Sequence, residues 1–420
     1  MNKPSLFHLE NDMNKKVLIL NQVFWPDKHN TARHISELAE ELVKRGWEVE
    51  ALVTNRSYVD KNQKISPLNG VWNGVKYKRL KLPSLDQKKN IPRLITGILL
   101  VIKWIFKSPS FKNKYNIILI GTNPPFAYLA LPFLRLFNRK TKLVMWGFDL
   151  YPEAIMVSGG RTWEILGKLI KPLTKISLKK LDTLVDIGPC MRKRYEAYQH
   201  KAHKETLTPW SFVEPVKLEK PHEKTRKELF GSANLALLYS GTIGFAHEFD
   251  NFLLLARELR RREASVAFCF AGFGNGFEKL KKEVTEQDTN ISFGGFVQTD
   301  EELKNRLSSP DVMMISLKSE WTGISVPSKY FGALATGKPV LFSGSKHSAL
   351  SIWSLNYNVG LHLSKENIHE TADILLELSK NKDELIKMSS NAFYTYQNKF
   401  SKEVICDRWS QVLSDTLKNQ

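Results

Sequence analysis

Short apolar runs, each closed by glycine or proline, alternate along the chain with stretches of helical period. Lys16 to Leu20 (K-V-L-I-L) has strand length and leads into a polar loop, Asn21 to Asn30. Ile35, Leu38, Ala39, Leu42 and Val43 then fall on one stripe of a helix. Gly46 stops it, and Val49 to Val53 restarts a strand. A β-α-β opening of this kind predicts a doubly wound parallel sheet, since parallel neighbours need a crossover helix. Asn116 to Ile120, Lys142 to Met145 and Thr183 to Ile187 extend the series, each followed by turn residues such as Gly121-Thr122-Asn123-Pro124-Pro125.

Thr208 to Pro221 contains Pro209, Pro215 and Pro221 without any helical period, and reads as a linker. Beyond it the alternation resumes with Leu235 to Tyr239, Val266 to Phe270, Ile291 to Phe293, Val312 to Leu317 and Val340 to Phe342. Glycines follow these runs: Gly241 and Gly244, then Gly272, Gly274 and Gly276, then Gly294 and Gly295, Gly323 and Gly344. Glycine lets backbone approach a ligand or take positive φ, so the carboxyl edge of the second sheet is expected to bind. At 420 residues the chain exceeds one ordinary core. The expectation is an α/β protein of two Rossmann-like domains facing a cleft, over residues 1–210 and 211–390. Phe393, Tyr396, Phe400, Val404, Ile405, Trp409 and Leu413 predict closing helices over 391–420.

With 42% hydrophobic and 25% charged residues the composition is globular, which excludes disorder. Cys190, Cys269 and Cys406 are odd in number and far apart, without metal-ligand spacing, and read as reduced thiols of a cytoplasmic protein. The net charge of +19 calls for an anionic partner. Lys88, Lys89, Arg93, Lys103, Lys107, Lys112 and Lys114 form a run without Asp or Glu, and Ile91 to Phe106 inside it is mostly apolar. A spanning helix needs about 20 apolar residues, and this shorter run holds Lys103. It fits a segment lying in an anionic membrane interface with Trp104 at the boundary, or a core helix with a solvated basic flank. Residues 1–14 are polar, with Glu10 and Asp12, and read as neither signal peptide nor anchor. A cytoplasmic protein peripheral on the inner face of the plasma membrane is expected.

Glu320 to Gly344 (E-W-T-G-I-S-V-P-S-K-Y-F-G-A-L-A-T-G-K-P-V-L-F-S-G) joins a glycine-marked loop, a short helix and a strand. Ser328 and Lys329 stand at that helix start, where unpaired N–H groups and the dipole attract phosphate. The plainer alternative is an N-cap beside an exposed lysine. Gly241 to Gly244 lets a loop approach a donor, or makes a tight β-α turn. Asp149 follows a strand and precedes Pro152, so it is either a cleft carboxylate or an Asx cap; Glu153 is a weaker candidate. Glu320 either accepts from sugar or ribose hydroxyls or is solvated.

Leu38 to Val49 (L-A-E-E-L-V-K-R-G-W-E-V), Asp149 to Glu153 (D-L-Y-P-E), Tyr239 to Gly244 (Y-S-G-T-I-G), Phe270 to Gly276 (F-A-G-F-G-N-G) and Val326 to Val340, in this order and spacing, resemble glycosyltransferase family 4, which has the GT-B fold. The P-S-K variant is similar to bacterial enzymes that build O-antigen, capsule and exopolysaccharide. The resemblance implies a nucleotide-sugar donor in the C-terminal domain and a glycan acceptor, polyprenyl-diphosphate-linked, in the N-terminal one. It implies transfer with retention, with no metal and no cofactor beyond the nucleotide-sugar co-substrate. It also implies a C-terminal helix that crosses back onto the N-terminal domain.

On that resemblance Asp149 and Glu320 are the catalytic candidates, and Gly241, Thr242, Gly244, Gly272, Gly274, Ser328 and Lys329 the donor-binding ones. Glu320 matches the first glutamate of the family's E-x7-E motif, while Ser328 stands where the second would be. Thr242 and His247 occupy the places of a diphosphate-clamping Arg and Lys, with His247 a phosphate contact if protonated or else a surface histidine. Arg33 is an acceptor-side candidate or a solvated first-turn arginine. Two other readings stay open. A nucleotide-sugar epimerase of the same fold would not need the basic apolar segment at a membrane. A nucleic-acid binder fits the charge, but the lysines are not interleaved with a recognisable binding module.

Overall fold

The computed structural model describes residues 15–58, 60, 62–86, 89–295, 297 and 299–418. The first sheet contains β1 (Lys16–Leu20), β2 (Glu48–Thr54), β3 (Asn69–Trp72), β4 (Val75–Leu80), β5 (Ile117–Gly121), β6 (Lys142–Trp146), β7 (Thr183–Asp186) and β8 (His203–Thr206). Its order is β3-β4-β2-β1-β5-β6-β7-β8. All neighbours run parallel except β3 and β4, a hairpin closed by Asn73 and Gly74 at φ 46° and 82°. Positive φ at both turn residues matches the twist of the paired strands. The apolar pattern does not announce β3, β4 or the polar β8 (H-K-E-T), although Asn73-Gly74 is a strong hairpin signal.

The second sheet contains β9 (Leu235–Thr242), β10 (Val266–Phe273), β11 (Ile291–Gly294), β12 (Val312–Ser316), β13 (Val340–Ser343) and β14 (Gly360–Leu363). Every pair is parallel, in the order β11-β10-β9-β12-β13-β14. Both sheets therefore reverse direction once, between β1 and β5 and between β9 and β12. Ligands of open α/β sheets bind outside the carboxyl ends at such switch points. The central strands of both sheets, such as β1, β5, β9 and β12, are nearly continuous apolar runs because helices cover both faces.

One core runs without a break from the first sheet through the domain interface to Val326, Tyr330, Ala349 and Trp353, and a second lies on the far side of the C-terminal sheet. Thr208 to Pro221 is irregular in backbone, yet Trp210 is fully buried and donates to Glu37 Oε2 at 2.6 Å. The helix Lys402–Lys418 lies on the N-terminal domain. Trp409 meets Trp146 at 5.0 Å, Trp47 donates to Ser410 at 3.0 Å, and Thr183 and Thr416 hydroxyls share a 2.8 Å hydrogen bond.

The basic apolar segment is the helix Asn90–Lys107. By length and composition, Ile91–Phe111 is the one helical stretch among the described residues apolar enough to cross a membrane. Leu100 and Trp104, however, are fully buried against the domain, so Trp104 is a core residue and not the boundary aromatic expected. The outward stripe is Ile91, Ile95, Ile98, Ile102 and Phe106, with Lys103 exposed beside it. Lys88 lies outside the described residues.

Candidate active site

Lys329 opens the helix Lys329–Ala335, and its side chain turns back across the end of β9. Nζ donates to the Tyr239 hydroxyl at 3.0 Å and to the Thr242 carbonyl at 3.3 Å, and lies 4.8 Å from the Tyr239 ring centre. A Cβ on Gly241 would stand 2.5 Å from Lys329 Cε. Glycine is therefore required at 241, where φ is 131°, to let the lysine lie over the strand end. Burial, with no carboxylate to offset it, pulls the ammonium pKa down to about 8. A cation held by one hydroxyl and one carbonyl at a topological switch point is prepared for an anion.

The other glycines divide into two kinds. A Cβ on Gly272 would lie 2.0 Å from the Gly241 carbonyl oxygen, and one on Gly274 2.5 Å from that of Ile243. These two glycines let the ends of β9 and β10 pack backbone on backbone, and so act by shaping the edge. Gly244 instead faces open space, and Thr242 is exposed beside it. Ser328 takes helical φ and ψ (−64°, −17°) and makes no capping hydrogen bond, so the expected side-chain N-cap is absent. The helix it precedes has seven residues, which leaves Lys329 rather than the helix end as the chief attraction for phosphate.

His247 Nδ1 lies 2.8 Å from the Ser316 carbonyl oxygen, and Glu248 N–H donates to Ser316 Oγ at 2.8 Å, which ties the loop after β9 to the end of β12. Burial, followed by the nearby Lys329 charge, lowers the His247 pKa to about 4. His247 is thus a neutral loop anchor, and the protonated phosphate contact is not formed near neutral pH. Glu320 is exposed on a short turn, Ser319–Trp321, and its backbone carbonyl receives Arg194 Nη2 at 3.3 Å from the other domain.

On the N-terminal edge, the N–H groups of Phe148 and Asp149 donate to Thr122 Oγ1 at 3.0 and 3.2 Å. This bond ties the loop after β6 to the loop after β5. Burial raises the Asp149 pKa to about 6, opposed by Arg93. For Arg93 burial works against the charge, yet Tyr151, Tyr58 and Asp149 together raise its pKa. Arg93 sits in the first turn of Asn90–Lys107, more than fifty residues from Asp149 in sequence, and its charge alone gave no sign of this electrostatic influence. The next residue, Leu150, donates its N–H across the cleft to the Ile324 carbonyl at 2.9 Å. The loop after β6 is thereby fixed to the segment that leads to Lys329.

Glu153 and Arg33 serve the scaffold. Glu153 is buried, accepts from Tyr198 at 2.7 Å and pairs with Lys171 at 3.4 Å, inside the domain. Arg33 lies over the Phe212 ring at 4.1 Å, bonds Glu37 at 2.8 Å and reaches Asp300 at 3.5 Å, bridging the two domains.

Two glycine-edged and side-chain-edged α/β sheets that meet across a cleft define the GT-B architecture. Solved structures of this fold cover nearly the whole chain. Sucrose-phosphate synthase from Thermosynechococcus elongatus aligns with TM-score 0.70 and 15% identity, over 97% of this chain and all of that one. HepE from Anabaena in complex with UDP and glucose gives 0.64 and 15%, over 96% and 100%. WaaG, a glycosyltransferase involved in lipopolysaccharide biosynthesis, gives 0.62 and 12%, over 95% and 99%. Residues 222–394, the segment that carries Gly241 and Lys329, match the family model described as Glycosyl transferases group 1. The chain is also 25% identical over 278 residues to "Probable glycosyltransferase WbjE" of Pseudomonas aeruginosa, across 64% of this chain and 68% of that protein. The protein is a glycosyltransferase with a GT-B fold.

Proposed function

We propose that the protein moves a sugar from a nucleotide-sugar donor to a lipid-linked glycan in the assembly of a cell-surface polysaccharide. It is a family 4-type enzyme, peripheral on the inner face of the plasma membrane. The observation that carries this reading is Lys329, a half-buried ammonium without a carboxylate at the C-terminal switch point. A diphosphate supplies the missing charge, and as the sugar–phosphate bond breaks the charge on the leaving oxygen grows next to Nζ. The Ser328 hydroxyl, not engaged in capping, donates to the same group. Asp149 receives the hydrogen bond of the attacking acceptor hydroxyl and takes its proton as the new bond forms; a pKa near 6 keeps it ionised at neutral pH. The acceptor oxygen bonds to the anomeric carbon on the face that the diphosphate leaves, so configuration is retained, and the protein's own donors meet the leaving charge. The structure of HepE in complex with UDP and glucose supports the donor class, and the likeness to WaaG, a glycosyltransferase involved in lipopolysaccharide biosynthesis, supports the setting.

A panel of nucleotide-sugars in a thermal-shift assay, followed by transfer of the labelled sugar to extracted lipid, tests the proposal. The donor is expected to stabilise the protein by about 3 kcal/mol at a hundredfold excess over Kd. Labelled lipid is the expected product. An isomerised nucleotide-sugar with no lipid product would instead establish the epimerase.

A further inference from the structure

Three N-terminal helices leave their outward faces uncovered. Ile91, Ile95, Ile98, Ile102 and Phe106 of Asn90–Lys107 are exposed, as are Ile165, Leu166, Leu169, Leu173 and Ile176 of Arg161–Leu178 and Phe133, Leu136 and Phe137 of Leu131–Phe137, and the three helices meet at Ile102, Phe133 and Leu173. Patches of this size on a protein surface mark a binding function. The helices do not form a flat face. They enclose a groove of about 340 Å³, lined by Ile98, Ile102, Phe126, Phe133, Leu173 and Ile176 among others, with Ser177 the one polar lining residue. That volume lies in the range of small-molecule sites, roughly 300 to 1,000 Å³.

The groove has a direction. At Pro125 and Phe126 it meets a smaller recess lined by Arg93, Ile155 and Trp163. Arg93 in turn is near enough to Asp149 for the two charges to act on each other's protonation. Along this track an apolar channel gives way to a guanidinium and then to the carboxylate at the cleft. The flanking charges on the same helices are Lys103, Lys107, Arg161, Lys168 and Lys175, and the lone acid, Glu164, is paired with Lys168 at 2.6 Å. A hydrocarbon chain with an anionic head fits this sequence of surfaces. A flat bilayer contact would use the stripes and leave the groove without a purpose, and an acidic peptide would find only Ser177 as a polar side chain inside it.

We infer that the groove holds the hydrocarbon chain of the acceptor lipid itself, with the chain's phosphate at Arg93 and the acceptor sugar beyond it at Asp149. The inference rests on the lipid-linked acceptor proposed above and gives that acceptor a binding path.

Farnesyl phosphate titrated into the full chain by calorimetry tests it, with farnesol, inorganic phosphate and phosphatidylglycerol vesicles as separate arms. Farnesyl phosphate is expected to bind saturably and inorganic phosphate is not. Ile98→Trp combined with Leu173→Trp fills the groove from positions 48% and 53% exposed, which spares the core. It should weaken farnesyl phosphate about tenfold or more, while vesicle binding persists through Ile91, Leu169 and the lysines. Arg93→Gln should weaken farnesyl phosphate and leave farnesol unchanged. Absent binding, or equal affinity in the filled variant, would overturn the inference. Parallel loss of lipid and vesicle binding would reduce the face to a bilayer contact, and a dimer that farnesyl phosphate does not dissociate would assign the groove to a second copy. Farnesyl phosphate binding by a protein that takes no nucleotide-sugar would sink the glycosyl-transfer reading alone.

Discussion

The two sheet edges that face the cleft are made from different materials. At the ends of β9 and β10 the C-terminal edge is mostly backbone, packed so closely that Gly272 and Gly274 have no room for a Cβ, with Lys329 laid across it. At the ends of β5 and β6 the N-terminal edge is crowded with Phe148, Asp149 and Tyr151, and with Arg93 brought in from a distant helix. On the function proposed above, the C-terminal edge meets the diphosphate that nucleoside-diphosphate sugars share, which a fixed backbone edge with one cation suits. The N-terminal edge then meets the acceptor, and an edge of side chains can be changed without disturbing the sheet. Under that proposal the difference between the edges separates a shared half-reaction from a particular one.

The comparison breaks most easily at Asp149. Asp149→Asn should lower kcat about 100-fold or more, leave nucleotide-sugar thermal shifts intact and leave the melting temperature at pH 7 unchanged or raised, since a desolvated charge is removed. A loss of donor binding would show that the edges are not separate. Lys329→Ala comes next, with kcat/KM for the donor lowered about 10- to 100-fold, as expected for losing a charged contact to phosphate. Steady-state kinetics beside a melting curve decide it; a collapse in stability with normal specific activity would make Lys329 structural.

Backbone packing at the donor edge is tested by a pair of alanines. Gly272→Ala places a Cβ 2.0 Å from the Gly241 oxygen at a φ of 151° and should cost about 2 to 4 kcal/mol in urea unfolding. Gly244→Ala meets nothing within 4 Å and should stay within about 0.5 kcal/mol. On the acceptor side, Lys103→Glu with Lys107→Glu should weaken sedimentation with phosphatidylglycerol vesicles about tenfold or more, at about 1 kcal/mol per charge. Unchanged sedimentation would move the membrane face elsewhere.

The smallest effect is a pH profile with one limb from each edge. Asp149 must lose its proton and Lys329 must keep one, so kcat/KM should fall below about pH 6 and above about pH 8. Lys329→Arg should remove the alkaline limb alone. The stability signs are opposite to those of activity. Folding raises the Asp149 pKa from 3.8, so this residue's contribution to stability declines as pH rises from 3.8 to about 6. Folding lowers the Lys329 pKa from 10.5, so its contribution improves as pH rises from about 8 to 10.5.

The sequence by itself determined the repeated β-α alternation, the buried strands and the glycine-edged end of β9 beside Lys329. These features are local: period, chain direction and the freedom of glycine act over a few neighbouring residues. Hairpin β3-β4 was also written locally, in Asn73-Gly74. Tertiary structure alone decided that Trp104 faces the core, that His247 and Glu153 anchor the scaffold, and that the charges of Arg93 and Asp149 act on each other. It also decided that three separate helices share one apolar groove. Each of these depends on segments far apart in the chain coming to one place, and burial and charge take their meaning there from neighbours that no window of sequence contains.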